Sequence, residues 1–253
     1  MMIDTHCHLY AREFDHDLDD MMKMAVDTGV QRFYMPAIDS STTQAMLAID
    51  EKYPQVYSMM GLHPCSVNNT YEKELLHVEE WLRKRKFAAL GEIGLDFYWD
   101  KTFVDQQYVA FRKQMSMALD YKLPIVIHSR NATIETISVI KEYGGTGLKG
   151  IFHCFGGSLE EAEQIIHAGF LLGVGGVVTY KNAGLAEVLK EVDIKHLVLE
   201  TDAPYLAPAP YRGKRNESSY LKIIATKIAD TKNMPLQEVI SITSKNALEV
   251  FSL

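Results

Sequence analysis

Ile3-Asp4-Thr5-His6-Cys7-His8-Leu9 stands almost at the start of the chain, and its reading decides how the rest is organised. The stretch suits a short strand, and on a strand residues two apart share a face. His6 and His8 then point the same way, with their backbones about 6 to 7 Å apart by strand rise. That is a fitting distance for two imidazole nitrogens to converge on one cation. Cys7, between them, points to the opposite face. Two histidines flanking a cysteine are a short signal, and their weight depends on what stands at the ends of the other strands.

Apolar, β-rich runs at 2–5, 32–38, 56–62, 88–93, 124–127, 150–153, 170–174 and 196–199 alternate with helical patterns. The helical stretches are 17–28, 42–52, 71–84, 106–121, 133–143, 158–168 and 183–191, with 219–230 and 236–251 following the last strand. Eight strands interleaved with helices predict an α/β fold, a (β/α)8 TIM barrel with extra C-terminal helices, forming one domain over 1–253. A doubly wound sheet is the alternative, but no glycine-rich phosphate loop follows the first strand. Leu221, Ile224 and Ile228, then Val239, Ile242, Leu248 and Phe251, recur at helical spacing. They predict that the closing helices pack on the outside and the bottom of the barrel.

Active residues of such a barrel sit at the C-terminal ends of its strands. The first strand ends in His6 and His8, the third in His63, the fourth in Glu92 and Asp96, the fifth in His128 and Arg130, the sixth in His153, and the eighth in Glu200 and Asp202. Neutral imidazole and carboxylate are the ligands of catalytic divalent sites. Four histidines and two carboxylates exceed the needs of one ion and suit two, about 3.5 to 4 Å apart. The expected assignment puts His6, His8 and Asp202 on one ion and His128 and His153 on the other, with Glu92 bridging. A hydroxide held between the ions is the expected nucleophile and Asp202 the expected general base.

Composition bounds the setting. Hydrophobic residues at 47% and charged residues at 23% are ordinary for a globular protein. The net charge of -7 excludes a protein that coats nucleic acid by bulk electrostatics. It does not exclude an enzyme that grips one phosphate through cations, because bound metal inverts the local sign. Cys7, Cys65 and Cys154 are odd in number and lack CxxC spacing, so reduced thiols and a cytoplasmic location are expected. No leader is visible, and the apolar run near 169–178 is glycine-broken and too short for a bilayer, so no membrane association is expected. Nothing resembles a dedicated interface, and a monomer is expected.

Taken together, Asp4-Thr-His6-Cys-His8-Leu9, Gly91-Glu-Ile-Gly-Leu-Asp96, Ile127-His-Ser-Arg130, His153-Cys-Phe-Gly156, Glu200-Thr-Asp-Ala-Pro-Tyr205 and Arg212-Gly-Lys-Arg-Asn-Glu217 resemble the TatD family of metal-dependent deoxyribonucleases. The resemblance runs from the first residues to Asn246-Ala-Leu-Glu-Val-Phe251. It implies an amidohydrolase-like barrel, the same two-ion assignment, and hydrolysis of DNA phosphodiesters, often from the 3′ end with magnesium, with DNA repair as a setting. Imidazole suits manganese or zinc better than magnesium, so all three stay open as the two divalent ions. Asn131 and Ser218 depart from the family pattern, at positions that carry no ligand.

Substrate contacts are read beside this. Arg130 shares a face with His128 if its strand continues, where a guanidinium can clamp a phosphate. A salt bridge to a nearby carboxylate is the plain alternative. His63 can hydrogen-bond a phosphate oxygen or protonate the leaving group, or be a loop histidine. Glu200 can orient a histidine through its second ring nitrogen, and Asp96 is either such an acceptor or a turn residue. Arg212, Lys214, Arg215 and Asn216, flanked by Tyr205 and Tyr211, read as a loop that tracks a nucleic-acid backbone while a tyrosine stacks on a base. Arg83 to Lys86 close a helix and are read as structural. An amide or small phosphoester hydrolase is the nearest alternative function. Against it, many binuclear relatives of that kind bridge with a modified lysine, where Glu92 stands here. A metal-stabilised binding scaffold without turnover is the alternative from another class.

Overall fold

Buried apolar runs place the strands. The computed structural model describes residues 1–251, and among these run eight strands: β1 (Met2–Asp4), β2 (Val30–Pro36), β3 (Val56–Met59), β4 (Leu90–Asp96), β5 (Ile125–Arg130), β6 (Gly150–Phe152), β7 (Phe170–Val174) and β8 (Leu197–Leu199). Parallel ladders join β1 to β3 in order and β4 to β8 in order. Two seams remain, and backbone hydrogen bonds close both. Between β3 and β4, the Met60 N–H reaches the Ala89 carbonyl at 3.2 Å and the Gly91 N–H reaches the Met60 carbonyl at 2.8 Å. Between β8 and β1, Thr5 donates to Leu199 at 3.1 Å, Asp202 to His6 at 2.9 Å and His8 to Ala203 at 2.7 Å. The result is the expected (β/α)8 barrel.

The helices α1 (Leu18–Asp27), α2 (Thr43–Lys52), α3 (Tyr71–Lys84), α4 (Val104–Tyr121), α5 (Thr133–Lys141), α6 (Leu159–His167) and α7 (Leu185–Glu191) each follow one strand. Local chemistry sets their ends. At α6 the Ser158 hydroxyl accepts the Glu161 N–H while the Glu161 carboxylate accepts the Ser158 N–H, so two orphan donors of the first turn are satisfied.

The closing helices divide the work that the sequence assigns to them. α8 (Leu221–Lys232) packs against α7 on the outside, with Leu221, Ile224 and Ile228 fully buried. α9 (Leu236–Phe251) closes the end opposite the strand C-termini. Its Ala247, Val250 and Phe251 form one apolar cluster with Ile3, Tyr34, Met59, Val126, Ile151 and Val198, and the Phe251 ring stacks on Tyr34 at 3.7 Å. The bottom of the barrel is therefore apolar, and the buried polar residues gather at the top.

Strand limits differ from expectation where they matter for the site. β4 and β5 run on to Asp96 and Arg130, because their ladder continues through Gly94–His128, Leu95–Ser129 and Asp96–Arg130. β1 ends at Asp4, before the histidines, yet an isolated parallel bridge between Cys7 and Ala203 keeps the backbone extended. Alternation survives: Cys7 is fully buried with Sγ 3.7 Å from the Tyr34 carbonyl, while His6 and His8 turn to the barrel mouth.

Asp4 latches the closing seam. One carboxylate oxygen accepts the Thr201 N–H at 2.9 Å and the other the Thr201 hydroxyl at 2.6 Å, with the carboxylate fully buried. Burial pushes this carboxyl up to about 7 against the pull of those hydrogen bonds. Removing the acceptor leaves the Thr201 N–H and hydroxyl, and the His6 N–H that reaches Asp4 at 3.4 Å, without this partner, so Asp4→Ala is expected to cost about 2 to 3 kcal/mol of stability. Asp4→Asn keeps one acceptor and should cost less. Urea unfolding measures both, and an alanine variant with the wild-type midpoint would refute the latch.

Candidate metal centre

The top of the barrel brings six side chains from five strand ends around one buried carboxylate. His6 Nε2 lies 3.3 Å from His8 Nε2 and 3.3 Å from Glu92 Oε2, and His8 Nε2 lies 3.4 Å from Asp202 Oδ1. Donor atoms bound at 2.0 to 2.2 Å to one tetrahedral ion stand roughly 3.3 to 3.6 Å apart. Two ring nitrogens facing each other at this spacing repel unless a proton or a cation sits between them. This donor set therefore fits a divalent ion.

The other carboxylate oxygen faces a second set. Glu92 Oε1 is 2.8 Å from His128 Nδ1, 3.7 Å from His153 Nε2 and 3.5 Å from His63 Nε2. Asp202 Oδ1 reaches toward both sets, 3.8 Å from His6 Nε2 and 3.8 Å from His153 Nε2. Groups of His6, His8 and Glu92, of His6, His153 and Asp202, and of His63, Glu92 and His128 each have the spacing of a cation site.

The outer partner of each ring decides what its inner nitrogen offers. His8 Nδ1 is 2.9 Å from the Tyr10 hydroxyl, which itself donates to the Pro36 carbonyl at 2.6 Å. The hydroxyl must then accept the Nδ1 proton, and neutral His8 turns a bare Nε2 inward. His153 Nδ1 is 2.9 Å from Glu200 Oε1, an ion-pair contact that does not have hydrogen-bond geometry, and its Nε2 faces the centre. His128 is reversed: Nε2 is 2.8 Å from Asp96 Oδ2, so Nδ1 is the nitrogen offered inward. His63 is the exception. Its Nδ1 accepts the Cys65 N–H at 3.0 Å, so the proton of the neutral ring sits on Nε2 and faces the site as a donor. Spacing alone admits His63 as a ligand; its tautomer makes it a hydrogen-bond donor.

Charge follows this arrangement. Burial opposes ionisation of Glu92, but His63, His6 and His153 outweigh it and hold the carboxyl well below its usual range. Burial likewise opposes ionisation of Asp202, and His153 and His8 hold it below its usual value. His6 and His63 are pushed down chiefly by burial. Burial also disfavours the charged form of His153, but Glu200, Glu92 and Asp202 together raise it to about 10.

The remaining site residues fall into two groups. Arg130 is exposed and lines a cleft of 320 Å³ together with His153, Cys154 and the 155–157 turn. Glu200 and Asp96 orient histidines, and Asp96 is a turn residue as well, since its Oδ1 accepts the backbone N–H groups of Tyr98 and Trp99. Lys214 is exposed, and Arg212 lies over the Tyr180 ring at 4.5 Å. Arg215 and Asn216 correct the expectation of a backbone-tracking loop. Arg215 makes two hydrogen bonds to Asp17, at 2.7 and 2.6 Å, and packs over Phe14. Asn216 is fully buried and donates to the Thr201 and Tyr205 carbonyls, both at 2.7 Å. Both hold the loop against the barrel and do not present to a substrate. Two contributors escaped the sequence reading. Tyr10 carries a weak signal, lying two residues past His8. Gly173 on β7 has a subtler one: a Cβ there would stand 2.3 Å from Glu200 Oε2, so β7 contributes room where other strands contribute ligands.

Fold and cluster together define a metal-dependent hydrolase barrel. Residues 3–252 match the family described as TatD related DNase. An uncharacterized metal-dependent hydrolase, YabD, of Bacillus subtilis is 40% identical over the full length of both chains. A putative deoxyribonuclease, tatdn3, of Danio rerio is 31% identical, covering 99% of this chain and 97% of its own. The crystal structure of the TatD homologue YjjV of Escherichia coli superposes with a TM-score of 0.94 at 28% identity, covering 100% of this chain and 98% of that one. The chain belongs to the TatD family of metal-dependent hydrolases.

Gly173→Ala tests the support of His153. The methyl group displaces the Glu200 carboxylate, frees the ring to rotate, and is expected to lower the metal content of the purified protein with the far-ultraviolet circular dichroism unchanged. Wild-type metal content in this variant would show that Glu200 does not position the ring.

Proposed function

We propose that the protein is a deoxyribonuclease that hydrolyses phosphodiester bonds from an end of the strand, 3′ to 5′ on single-stranded or frayed DNA. The observation that carries the reading is Glu92, whose two oxygens face two separate histidine sets, as a carboxylate shared by two ions does. In this reading His6, His8 and Asp202 would hold one ion and His128 and His153 the other, with Glu92 available to both. Magnesium, manganese or zinc bound there would neutralise phosphate charge and lower the pKa of bound water.

The residues of the chain divide the remaining tasks. Asp202, kept ionised by the histidines around it, accepts the proton of the attacking water. His63, with its proton on Nε2, donates to a phosphate oxygen or to the leaving group. Arg130 on the cleft wall takes a phosphate oxygen, and a guanidinium there favours an anionic substrate over an amide. Tyr205, half exposed with its ring 5.7 Å from that of His8, and Lys214 on the following loop flank the path of the strand. The names of the matched family and of the zebrafish relative support DNA as the substrate. All three cysteines are free, which fits a cytoplasmic setting, and no described helix is long and apolar enough to cross a membrane.

End-labelled single-stranded DNA is the test substrate, with protein stripped of metal and reloaded with magnesium, manganese or zinc separately. Wild type is expected to shorten it in a ladder from the 3′ end. Asp202→Ala and His63→Ala should each lose on the order of 10² to 10⁴ in kcat/KM, and Glu92→Ala should also lose bound metal. Absence of cleavage with every ion, or activity surviving both Asp202→Ala and Glu92→Ala, would overturn the proposal.

Metal uptake should also release protons. With its pKa raised to about 10, His153 is protonated at pH 7 in stripped protein, so an ion must displace that proton. Apparent affinity is then expected to rise with pH between 7 and 10. Calorimetric titrations at pH 7 in two buffers of different ionisation enthalpy read the release directly, and identical heats in both would contradict it.

A further inference from the structure

The loop after β4 carries two large aromatic side chains that the metal chemistry does not use. Trp99 is 64% exposed and Tyr98 50% exposed, the rings meeting edge to face at 4.9 Å. Adjacent aromatics left in water carry a hydrophobic cost that a stacking partner removes. Their position is tied to the centre by one carboxylate. Asp96 Oδ1 accepts the Tyr98 N–H at 2.9 Å and the Trp99 N–H at 3.1 Å, while its Oδ2 orients His128 at 2.8 Å. Trp99 lies three residues beyond Asp96, so its Cα is within roughly 11 Å of the Asp96 Cα. A guanidinium completes the group: Arg130 sits 3.9 Å from the centre of the Tyr98 ring and 5.3 Å from that of Trp99, on the wall of the cleft that His153 lines.

We propose that Tyr98 and Trp99 form a platform on which a nucleobase of the cleaved strand stacks, with Arg130 holding the adjoining phosphate. This deepens the deoxyribonuclease reading and rests on it. Single-stranded nucleic acid is gripped elsewhere by the same combination of aromatic faces for bases and cations for the backbone. The stack tolerates any base, because every base has a π-face, and it makes the enzyme discriminate against a strand that lacks a base at the cleaved end. Asp96 ties the platform to His128, so base and scissile phosphate are registered against each other by one side chain.

Two measurements test the platform and keep it separable from the nuclease reading. The chain has two tryptophans, so Trp81→Phe leaves Trp99 as the sole tryptophan, which excitation at its red edge selects over the tyrosines. In this background the metal-loaded protein is titrated with a thymidine dinucleotide bearing a phosphorothioate linkage, and with the same linkage between two abasic sugars. Saturable quenching by the first and none by the second is expected, and no quenching, or equal quenching by both, would overturn the platform. The second measurement compares cleavage of single strands with and without a base on the terminal nucleotides. Wild type should favour the base-bearing strand about tenfold in kcat/KM, near the low end of what one base–aromatic stack contributes. Trp99→Ala combined with Tyr98→Ala should bring that ratio close to one, and Trp99→Phe with Tyr98 intact should restore most of it. A ratio unchanged in the double variant would overturn the platform as well. Quenching without cleavage of either strand would uphold stacking and remove the nuclease reading; cleavage of both strands at equal rates would do the reverse.

Discussion

A carboxylate buried within β4 organises the molecule. Glu92 is 2% exposed, and an isolated charge at such a depth would be several kcal/mol uphill. It stays ionised because imidazoles surround it, and those imidazoles arrive from four other strand ends. Nothing about Glu92 is local. Its environment exists only when the two seams of the barrel are closed, because His6 and His8 extend β1 at the β8–β1 seam and His63 follows β3 at the β3–β4 seam.

Four of the five imidazoles have a different partner behind them: the Tyr10 hydroxyl for His8, Asp96 for His128, the Cys65 N–H for His63 and, as an ion-pair contact at 2.9 Å, Glu200 for His153. This outer ring sets which nitrogen faces inward and whether it carries a proton. A donor and an acceptor of the same residue type are thereby separated within a few ångströms, with His63 Nε2 only 3.3 Å from His128 Nδ1. The seventh strand shows the complementary device. It brings no ligand to the centre, but its Gly173 leaves the volume that the Glu200 carboxylate occupies.

Much of this was legible in the sequence, for identifiable reasons. A strand's period of two put His6 and His8 on one face, and the rule that barrel sites collect at strand C-termini picked out Glu92, His128, His153 and Asp202. Tautomers were not legible, because they depend on what lies behind each ring, such as the Tyr10 hydroxyl that the Pro36 carbonyl turns toward His8 and the Cys65 N–H behind His63. Arg215 and Asn216 misled for the same reason. Within Arg212-Gly-Lys-Arg-Asn they look like a basic loop, but the Asp17 that claims Arg215 is 198 positions away, and the carbonyl groups that claim Asn216 belong to backbone that no residue pattern marks. The aromatic pair at 98–99 was invisible for a different reason: exposure, and not residue type, separates a platform from core.

The two ends of the barrel divide stability from function. At the bottom, α9 seals an apolar interior with Phe251 against Tyr34 and ties itself to the start of β8 through Asn246, which donates to the Ile194 and Leu197 carbonyls at 3.0 and 2.8 Å. That end needs no charge, and it lets the top concentrate carboxylates and imidazoles that no apolar core could tolerate. Under the proposed deoxyribonuclease reading, the same division lets an acidic chain act on a polyanionic substrate. A net charge of -7 repels a DNA backbone over most of the surface, so attraction has to be local. In that reading, cations bound by Glu92 and its neighbours, with Arg130 on the cleft wall, would supply it at one point. Binding through one or two phosphates at an end, and not along a duplex, is the mode such a charge distribution permits.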